Sequence, residues 1–200
     1  MESGQVQLSL RERQKAQTRE HLLCVATSLI AAKGFAATSI DDIAKAAGSS
    51  RATVYSYFDS KDTILAELIR GMWDDANELY REFGALPDWS RPSIHAWVQT
   101  VISRNQADAE RNRAALEISL AEVIQNEGKH HQLHIGSLTL NSKMWTQRFT
   151  KAETRGRASI IITMIEGYTT RLFLHGTISR RGPAVDLLTD AILDMLHARE

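Results

Sequence analysis

The sequence predicts an all-α protein of about nine helices, with a small N-terminal domain and a larger C-terminal one. Apolar residues recur at helical spacing along almost the whole chain of 200 residues, and no stretch alternates like a β-strand. Glycine and proline stand near the ends of several apolar stripes, where they favour turns. With 43% hydrophobic residues, the chain has enough apolar side chains for a packed core.

The first helix is expected over residues 15–35, because its apolar positions share one face and end at Gly34. Residues 1–14 are expected to form a flexible tail. The N-terminal segment lacks the apolar core of a signal peptide, and no apolar run reaches the ~18 residues of a membrane span. These features predict a soluble, cytoplasmic protein without a membrane partner.

Two short helices should follow, over residues 38–47 and 51–58. In the second of them, Val54 and Phe58 are four residues apart and form the buried side. The residues expected at the caps and in the turn between these helices are Thr38, Asp41, Gly48 and Ser50. Two short helices joined by a glycine-containing turn form a helix-turn-helix unit.

Six further helices are expected in the rest of the chain, separated by turn-forming residues. Their expected ranges are 61–83, 92–107, 110–126, 134–153, 157–175 and 183–198. The domains are expected at residues 15–60 and 61–200.

The charge balance restricts the kind of nucleic-acid binding that the chain could perform. The chain has 24 basic and 24 acidic residues and a formal net charge of zero. Proteins that coat nucleic acid by bulk charge are usually strongly basic, so any nucleic-acid contact should depend on a local surface. The one cysteine, Cys24, excludes an intramolecular disulfide and is expected to be buried in its apolar run.

The outward positions of the helix over 51–58 favour contact with DNA. In a helix-turn-helix unit, the second helix enters the major groove with its first residues at the base edges. An arginine such as Arg51 can bind a guanine edge through two hydrogen bonds, and Ala52 suits a thymine methyl group. The hydroxyl groups of Thr53, Tyr55 and Tyr57 can hold phosphates.

Residues 18–64 resemble the N-terminal domain of the TetR family of transcriptional regulators. The stretch AAKGFAATSIDDIAKAAGSSRATVYSYFDSKDTIL carries the family's pattern in continuous order. The matching positions are Gly34, Phe35, Thr38, Ile43, Ala44, Ala47, Gly48, Tyr55, Phe58 and Lys61. The chain departs from the pattern at Ser49, often apolar in the family, and at Ala52, often glycine.

The resemblance implies an all-helical homodimer that binds a palindromic operator in double-stranded DNA and is released by a small-molecule effector. It implies a repressor that is not an enzyme and needs no cofactor. Arg51, Ala52 and Tyr55 would be the base readers, and Thr38, Thr53, Tyr57 and Lys61 the phosphate contacts. The full expected DNA-binding set is Thr38, Ser50, Arg51, Ala52, Thr53, Tyr55, Ser56, Tyr57 and Lys61. An activator, an effector-independent regulator, or a protein-binding module without DNA affinity are the alternatives.

The C-terminal helices offer candidate residues for an effector pocket and a dimer interface. Large aromatics with methionine suit an apolar or aromatic effector, and the expected lining is Trp73, Trp97, Met144, Trp145 and Phe149. The last two helices carry wide apolar stripes, which favour burial against a second subunit. The expected interface residues are Ile161, Ile165, Tyr168, Leu172, Leu188, Ile192 and Met195.

Metal and enzyme chemistry find little support in the sequence. His130, His131 and His134 form an HHxxH pattern, but a zinc site needs a third or fourth ligand in fixed geometry. We therefore expect no bound metal, although the histidine pattern leaves this open. The chain contains no phosphate-binding glycine loop, no G-x-S-x-G elbow and no HExxH motif.

Overall fold

The predicted all-α class is confirmed. The computed structural model describes residues 9–118, 120–175 and 184–197, with side chains over 9–113, 128–172 and 184–197. These ranges contain ten helices and no strand. The helices are α1 (Leu10–Lys33), α2 (Ile40–Ala46), α3 (Arg51–Tyr57), α4 (Lys61–Gly84), α5 (Arg91–Ala107), α6 (Ala109–Ile118), α7 (Leu120–Leu138), α8 (Ser142–Thr146), α9 (Lys151–His175) and α10 (Ala184–Leu196).

The chain divides into two compact units, the first ending at Leu68 and the second beginning at Ile69. The sequence placed a boundary at residues 60/61, at the start of α4. The first two turns of α4 instead belong to the first unit, because Lys61 binds backbone carbonyls of the α1–α2 turn and Glu67 pairs with Arg19 of α1. Within the described parts of the chain, no helix combines the length and hydropathy of a membrane crossing.

Helix α1 begins at Leu10, five residues before the predicted start at residue 15. Ser9 and Glu12 form a capping box in which each side chain accepts a hydrogen bond from the other residue's backbone N–H. Residues 10–14 of the expected tail are therefore helical, while residues 1–8 lie outside the described range. The prediction that Cys24 is buried is wrong, because α1 turns this residue toward solvent.

The helix-turn-helix unit forms where the sequence indicates, with one change at its first cap. Helix α2 is capped by Ser39 with Asp42, not by Thr38 with Asp41. The helix begins one residue later than that pair would require, so Ser39 occupies the capping position. Gly48 follows with a φ of 61°, a conformation that costs glycine little and other residues more.

The core of the first unit joins its four helical segments. The apolar side chains of this unit that are at most 2% exposed are Leu22, Ala26, Ile30, Ile43, Val54, Phe58, Ile64 and Leu68. Helix α2 packs against both α1 and α3. This packing fixes which side of α3 faces inward.

In the second unit, two predicted elements are wrong. A helix was expected to end at residue 126, but α7 continues through Gly128 to Leu138. A helix was expected over residues 134–153, but this stretch holds the end of α7, the short helix α8 and the start of α9. Both errors follow from intrinsic propensity, which is a weak guide where tertiary packing decides.

A single apolar core organises the second unit. It gathers side chains from α4, α5 and α7–α10, including Phe83, Trp97, Trp145, Ile161 and Ile192. The end of α4 approaches α7 closely at Gly84, where an added Cβ would meet the backbone oxygen of Ser137 and lie 3.0 Å from Leu140 Cβ. Helix α7 packs on α9, and α10 on α5.

Candidate nucleic-acid interface and ligand cavity

The local structure of α3 gives it one buried and one solvent-facing side. Ser50 caps the helix by accepting a hydrogen bond from the Thr53 backbone N–H at 3.0 Å. Val54 and Phe58 are 0% and 1% exposed, which fixes the inner face. The exposed residues of the helix are Arg51, Ala52, Tyr55 and Ser56, while Thr53 and Tyr57 are half-buried at its flanks. We call the exposed set the α3 outer face.

Arg51 already has partners on this face. Its Nη1 lies 3.4 Å from Asp41 Oδ2 on α2, and its guanidinium carbon lies 5.6 Å from the centre of the Tyr55 ring. Both members of the ion pair are largely exposed, so the pair is weak and can exchange for another partner. The guanidinium is thus held at the start of α3, where a first-turn base contact would be made.

Two of the expected phosphate contacts lie inside the first unit. Thr38 is 1% exposed, and its hydroxyl donates to the Gly34 carbonyl oxygen at 2.8 Å. The Lys61 ammonium donates to the carbonyl oxygens of Phe35 at 2.8 Å and Thr38 at 2.9 Å, and it lies 4.2 Å from the Phe35 ring centre. These side chains hold the α1–α2 turn against the start of α4.

Further charged contacts position the helix-turn-helix unit. Arg19 pairs with Glu67 of α4 and lies 4.7 Å above the ring of Phe58. Asp42 lies 2.8 Å from Lys33 at the end of α1. The Lys33 ammonium, followed by the Ser39 hydroxyl, holds the pKa of Asp42 well below its usual range. Arg19 therefore joins α1 to Glu67 of α4 and to Phe58. The sequence pattern does not reveal these contacts.

The second unit contains a cavity of about 1070 Å³, lined by residues of α4, α5, α6, α7 and α9. Its size is at the upper end of typical small-molecule sites. Trp73 on α4 lines it and stacks on His130 of α7, with ring centres 4.5 Å apart and planes 3° apart. Burial lowers the pKa of His130, as does the neighbouring His134 to a smaller extent.

A buried polar cluster lies at one wall of the cavity. His134 is 0% exposed, and its Nδ1 lies 3.0 Å from Glu166 Oε1 on α9. Burial raises the pKa of Tyr80, and the charge of Glu166 and a hydrogen bond with it add to this effect. Glu166 itself lines the cavity. Sequence reasoning considered His134 only as a metal ligand and missed Tyr80 and Glu166.

Several buried polar atoms near the cavity have no hydrogen-bond partner in the described structure. Three belong to lining residues: Trp73 Nε1, Arg111 Nε and Asn112 Oδ1. Buried polar groups are nearly always hydrogen-bonded in proteins, so unpaired ones on residues that line a cavity are candidate contacts for a ligand. Asn112 could have been noticed in the sequence only as a polar residue within a helix, which is a weak signal.

Of the five expected pocket residues, Trp73 is among the described lining residues and the others are not. Trp97 donates its indole N–H to the Leu79 carbonyl oxygen at 2.8 Å, inside the core. Trp145 and Phe149 also belong to the core, and Met144 is half-buried on α8.

The three histidines of the HHxxH pattern do not converge. His130 stacks on Trp73, His131 Nε2 lies 2.7 Å from Ser159 Oγ, and His134 contacts Glu166. Over the part of the chain that the structure describes, no three histidine, cysteine or acidic residues form a group suited to a metal ion.

The expected dimer residues lie mostly within the unit's own core. Ile161, Ile165, Leu188 and Ile192 are buried, while Tyr168, Leu172 and Met195 are half-buried. Among the side chains of α9 and α10 that the structure describes, the large apolar ones that face solvent are Ile160, 55% exposed, and Leu187, 63% exposed.

Comparison with known proteins agrees with the resemblance seen in the sequence. Residues 22–68 match the family model described as "Bacterial regulatory proteins, tetR family". The chain is 37% identical over 116 residues to the HTH-type transcriptional repressor KstR2 of Rhodococcus jostii, covering 58% of this chain and 52% of that protein. It is 30% identical over 112 residues to the HTH-type transcriptional regulator AcrR of Shigella flexneri, covering 56% and 52%. The matches thus span about half the length of these curated relatives.

Solved structures extend the similarity in fold to nearly the whole chain. The fatty acid degradation regulator FadR from Bacillus halodurans superposes with a TM-score of 0.69 at 20% identity, covering 91% of this chain and 97% of that one. A TetR family transcription regulator from Marinobacter aquaeolei VT8 gives 0.68 at 21% identity, covering 94% and 100%. The match to the TetR family model is confined to residues 22–68, and over nearly the whole chain the solved structures share the fold.

Proposed function

We propose that the protein is a transcriptional repressor that binds a palindromic DNA operator as a homodimer and is released by a small-molecule effector. The observation that supports DNA binding most directly is the α3 outer face. Arg51, Ala52 and Tyr55 are exposed together on a short helix whose start is fixed by the Ser50 cap. The relative KstR2 is named a repressor, which favours that sign of regulation over activation. Because bacterial operators lie in the cytoplasm, we propose that compartment.

In this proposal Arg51, Ala52 and Tyr55 read bases, and hydroxyl groups beside them hold phosphates. The proposed phosphate contacts at α3 are Ser50, Thr53, Ser56 and Tyr57. The hydroxyl groups of Ser50, Thr53 and Ser56 make local hydrogen bonds, but unlike Thr38 these residues are not buried, so their hydroxyls can turn to a phosphate. We assign Thr38 and Lys61 to holding the α1–α2 turn, since their polar groups already bind backbone carbonyls. Their effect on DNA binding would be indirect, through the position of α3.

The cavity of the second unit is the proposed effector site. One helix, α4, supplies both Lys61, which binds the α1–α2 turn, and Trp73, which lines the cavity. A ligand that displaces α4 would therefore alter a helix on which the DNA-binding unit depends. Coupling of this kind is reciprocal, so operator DNA should weaken effector binding by the same factor.

The test begins with selection of binding sites from a random double-stranded DNA pool in about 150 mM salt, which suppresses attraction by bulk charge. We expect an inverted repeat whose half-sites lie about one DNA turn apart. Arg51→Ala should weaken binding to the selected site about 5- to 150-fold, corresponding to ~1–3 kcal/mol for a bidentate base contact. Arg81→Ala, an exposed arginine of α4 in the second unit, is the matched control.

Failure to enrich any site by a folded protein would contradict the proposal. If Arg51→Ala and Arg81→Ala weakened binding equally, general charge would explain the affinity and the assignment of α3 would be wrong. Enrichment of a single half-site with no repeat would contradict the homodimeric mode.

A further inference from the structure

The unpaired polar groups of the cavity indicate what kind of molecule it binds. Asn112 is 6% exposed and Trp73 is 9% exposed, and both line the cavity. Trp73 Nε1 has no hydrogen-bond partner, and neither has Asn112 Oδ1. An indole N–H is a donor only, whereas a side-chain amide offers both a donor and an acceptor, whichever way it is turned. The residues that form this wall therefore carry an unused donor and an unused acceptor.

These groups lie on the side of the cavity formed by α4 and α6. Arg111, the residue before Asn112, pairs with Asp75 of α4, two residues after Trp73. The Arg111 Nε–H is also unpaired. Residues of both helices at this wall thus carry polar atoms without a partner.

The charged groups of the cavity, in contrast, largely have partners already. Arg111 is paired with Asp75 and, at 3.2 Å, with Asp108, and Arg104 is paired with Glu82 at 2.7 Å. Glu166 contacts His134. Among the described lining residues, Arg171 is a cation without an ion pair, and it is exposed. A buried charge needs a buried partner, and the α4–α6 wall has no spare one to offer.

We propose that the cavity binds a neutral, mostly apolar molecule whose single polar group both accepts and donates hydrogen bonds, such as a hydroxyl or a carboxamide. Trp73 and Asn112 recognise that group. Met72, Ala76, Leu79 and Gly167 supply apolar surface for the rest of the molecule. This inference rests on the proposed function in one respect, namely that the cavity is the effector site.

Three rigid probes with one apolar body test the proposal. They are adamantane-1-carboxamide, adamantane-1-carboxylate and 1-adamantylmethylammonium, titrated into the full-length protein by isothermal calorimetry. We expect the carboxamide to bind with a Kd at least about tenfold below that of either ion, because only it satisfies both the donors and the acceptor without burying a charge. Trp73→Phe should weaken carboxamide binding about fivefold by removing the indole N–H.

Asn112→Leu separates a ligand contact from a structural role. It should raise the Kd of the carboxamide about 5- to 10-fold and raise the Tm of the ligand-free protein by about 2 °C or more, because it removes an unsatisfied buried polar group. Asn77→Leu is the matched control: Asn77 accepts a hydrogen bond from Ser137 at 2.7 Å and does not line the cavity. That variant should lower the Tm and leave the Kd unchanged.

The proposal is overturned if an ion binds as tightly as the carboxamide, if none of the three probes binds, or if Asn112→Leu leaves the carboxamide Kd unchanged. Its failure is distinguishable from failure of the proposed function. If the carboxamide binds as expected but does not lower the affinity of the protein for the selected operator, the proposed ligand class is correct and the proposed release by an effector is wrong. If no probe binds but another molecule releases the protein from the operator, the proposed ligand class is wrong and the proposed release by an effector is correct.

Discussion

Lys61, which the family resemblance assigns to a phosphate contact, binds backbone carbonyls in the structure. Its ammonium donates to two backbone carbonyls and lies over the Phe35 ring, so its hydrogen bonds are made within the first unit. Lys61→Met keeps most of the apolar stem but removes both hydrogen bonds. We expect the free energy of unfolding to fall by about 2 kcal/mol, as for other hydrogen bonds of a charged group. Urea denaturation followed by circular dichroism measures this change.

Lys45→Met is the control for Lys61→Met, since Lys45 is exposed on α2 and makes no ion pair among the described residues. Its unfolding free energy should stay within about 0.5 kcal/mol of the parent protein. If Lys61→Met instead kept full stability and lost operator affinity, Lys61 would be a phosphate contact, as the sequence pattern indicated.

At the scale of single residues, the sequence predicted the exposed side of α3 well. Val54 and Phe58 fixed the inner face, so Arg51 and Tyr55 had to point outward. The role of Lys61 could not be predicted, because its partners are backbone carbonyls that only the folded turn brings together. Most of the aromatic residues expected in the pocket do not line the cavity, for a related reason. A helical stripe marks Trp97 as buried but does not show whether core atoms or an open cavity lie beyond it.

At the scale of elements, the junction of α4 with α7 depends on one small residue. An added Cβ at Gly84 would collide with the Ser137 backbone oxygen and crowd Leu140. A backbone atom cannot turn away as a side chain can, so the helices must separate. We expect Gly84→Ala to lower stability by about 1–3 kcal/mol, as overpacking of a core does, with a Tm lower by about 2–4 °C for each kcal/mol.

Gly71→Ala is the control for Gly84→Ala, because both glycines belong to α4 and a Cβ at Gly71 would meet nothing within 4 Å. Alanine is the better helix former, so this variant should gain about 0.5–1 kcal/mol. Thermal melts of the two variants should therefore shift in opposite directions. Equal shifts would mean that helix propensity, and not the contact with Ser137, decides the effect.

The sequence predicted elements best where caps and turns carry clear signals. Ser50 and Gly48 marked the ends of short helices, and the ranges of α2 and α3 came within two residues of those expected. Between residues 134 and 153 the prediction failed, because the interruption around α8 carries no glycine or proline. Asn141 stands before α8 without a side-chain cap hydrogen bond, whereas Thr150 and Glu153 form a capping box at the start of α9, a signal that the prediction overlooked.

At the scale of the whole molecule, the surface available for the proposed homodimer is smaller than the expected interface residues suggest, because four of the seven are buried within their own unit. The core of the unit contains those four side chains, and among the described side chains of α9 and α10 the large apolar ones that face solvent are Ile160 and Leu187. Apolar stripes on a helix therefore overestimated the surface available to a partner. The exposed pair gives a sharper hypothesis: a second copy of the chain covers Leu187 and Ile160 in an isologous contact.

Leu187→Glu tests this hypothesis. In an isologous contact the glutamates of the two subunits would face each other, and burying these like charges should prevent association. We expect light scattering after size exclusion to show a monomer where the parent protein is a dimer, with unchanged helical content. Leu133→Glu is the control, since Leu133 on α7 is 51% exposed and has no place in the proposed interface. It should remain dimeric.

The same variant connects the oligomeric state with function. In a dimer, binding of one α3 to its half-site raises the effective concentration of the second, which can strengthen binding by about 10²–10⁴-fold. Leu187→Glu should therefore lose about 100-fold or more in affinity for the selected inverted repeat and keep its affinity for an isolated half-site, because Arg51 and Tyr55 are unchanged. Gel-shift titrations on the two DNA fragments measure both values. If the affinities for the repeat and for the half-site fell by the same factor, the DNA-binding unit itself would be damaged, which would contradict an interface at Leu187.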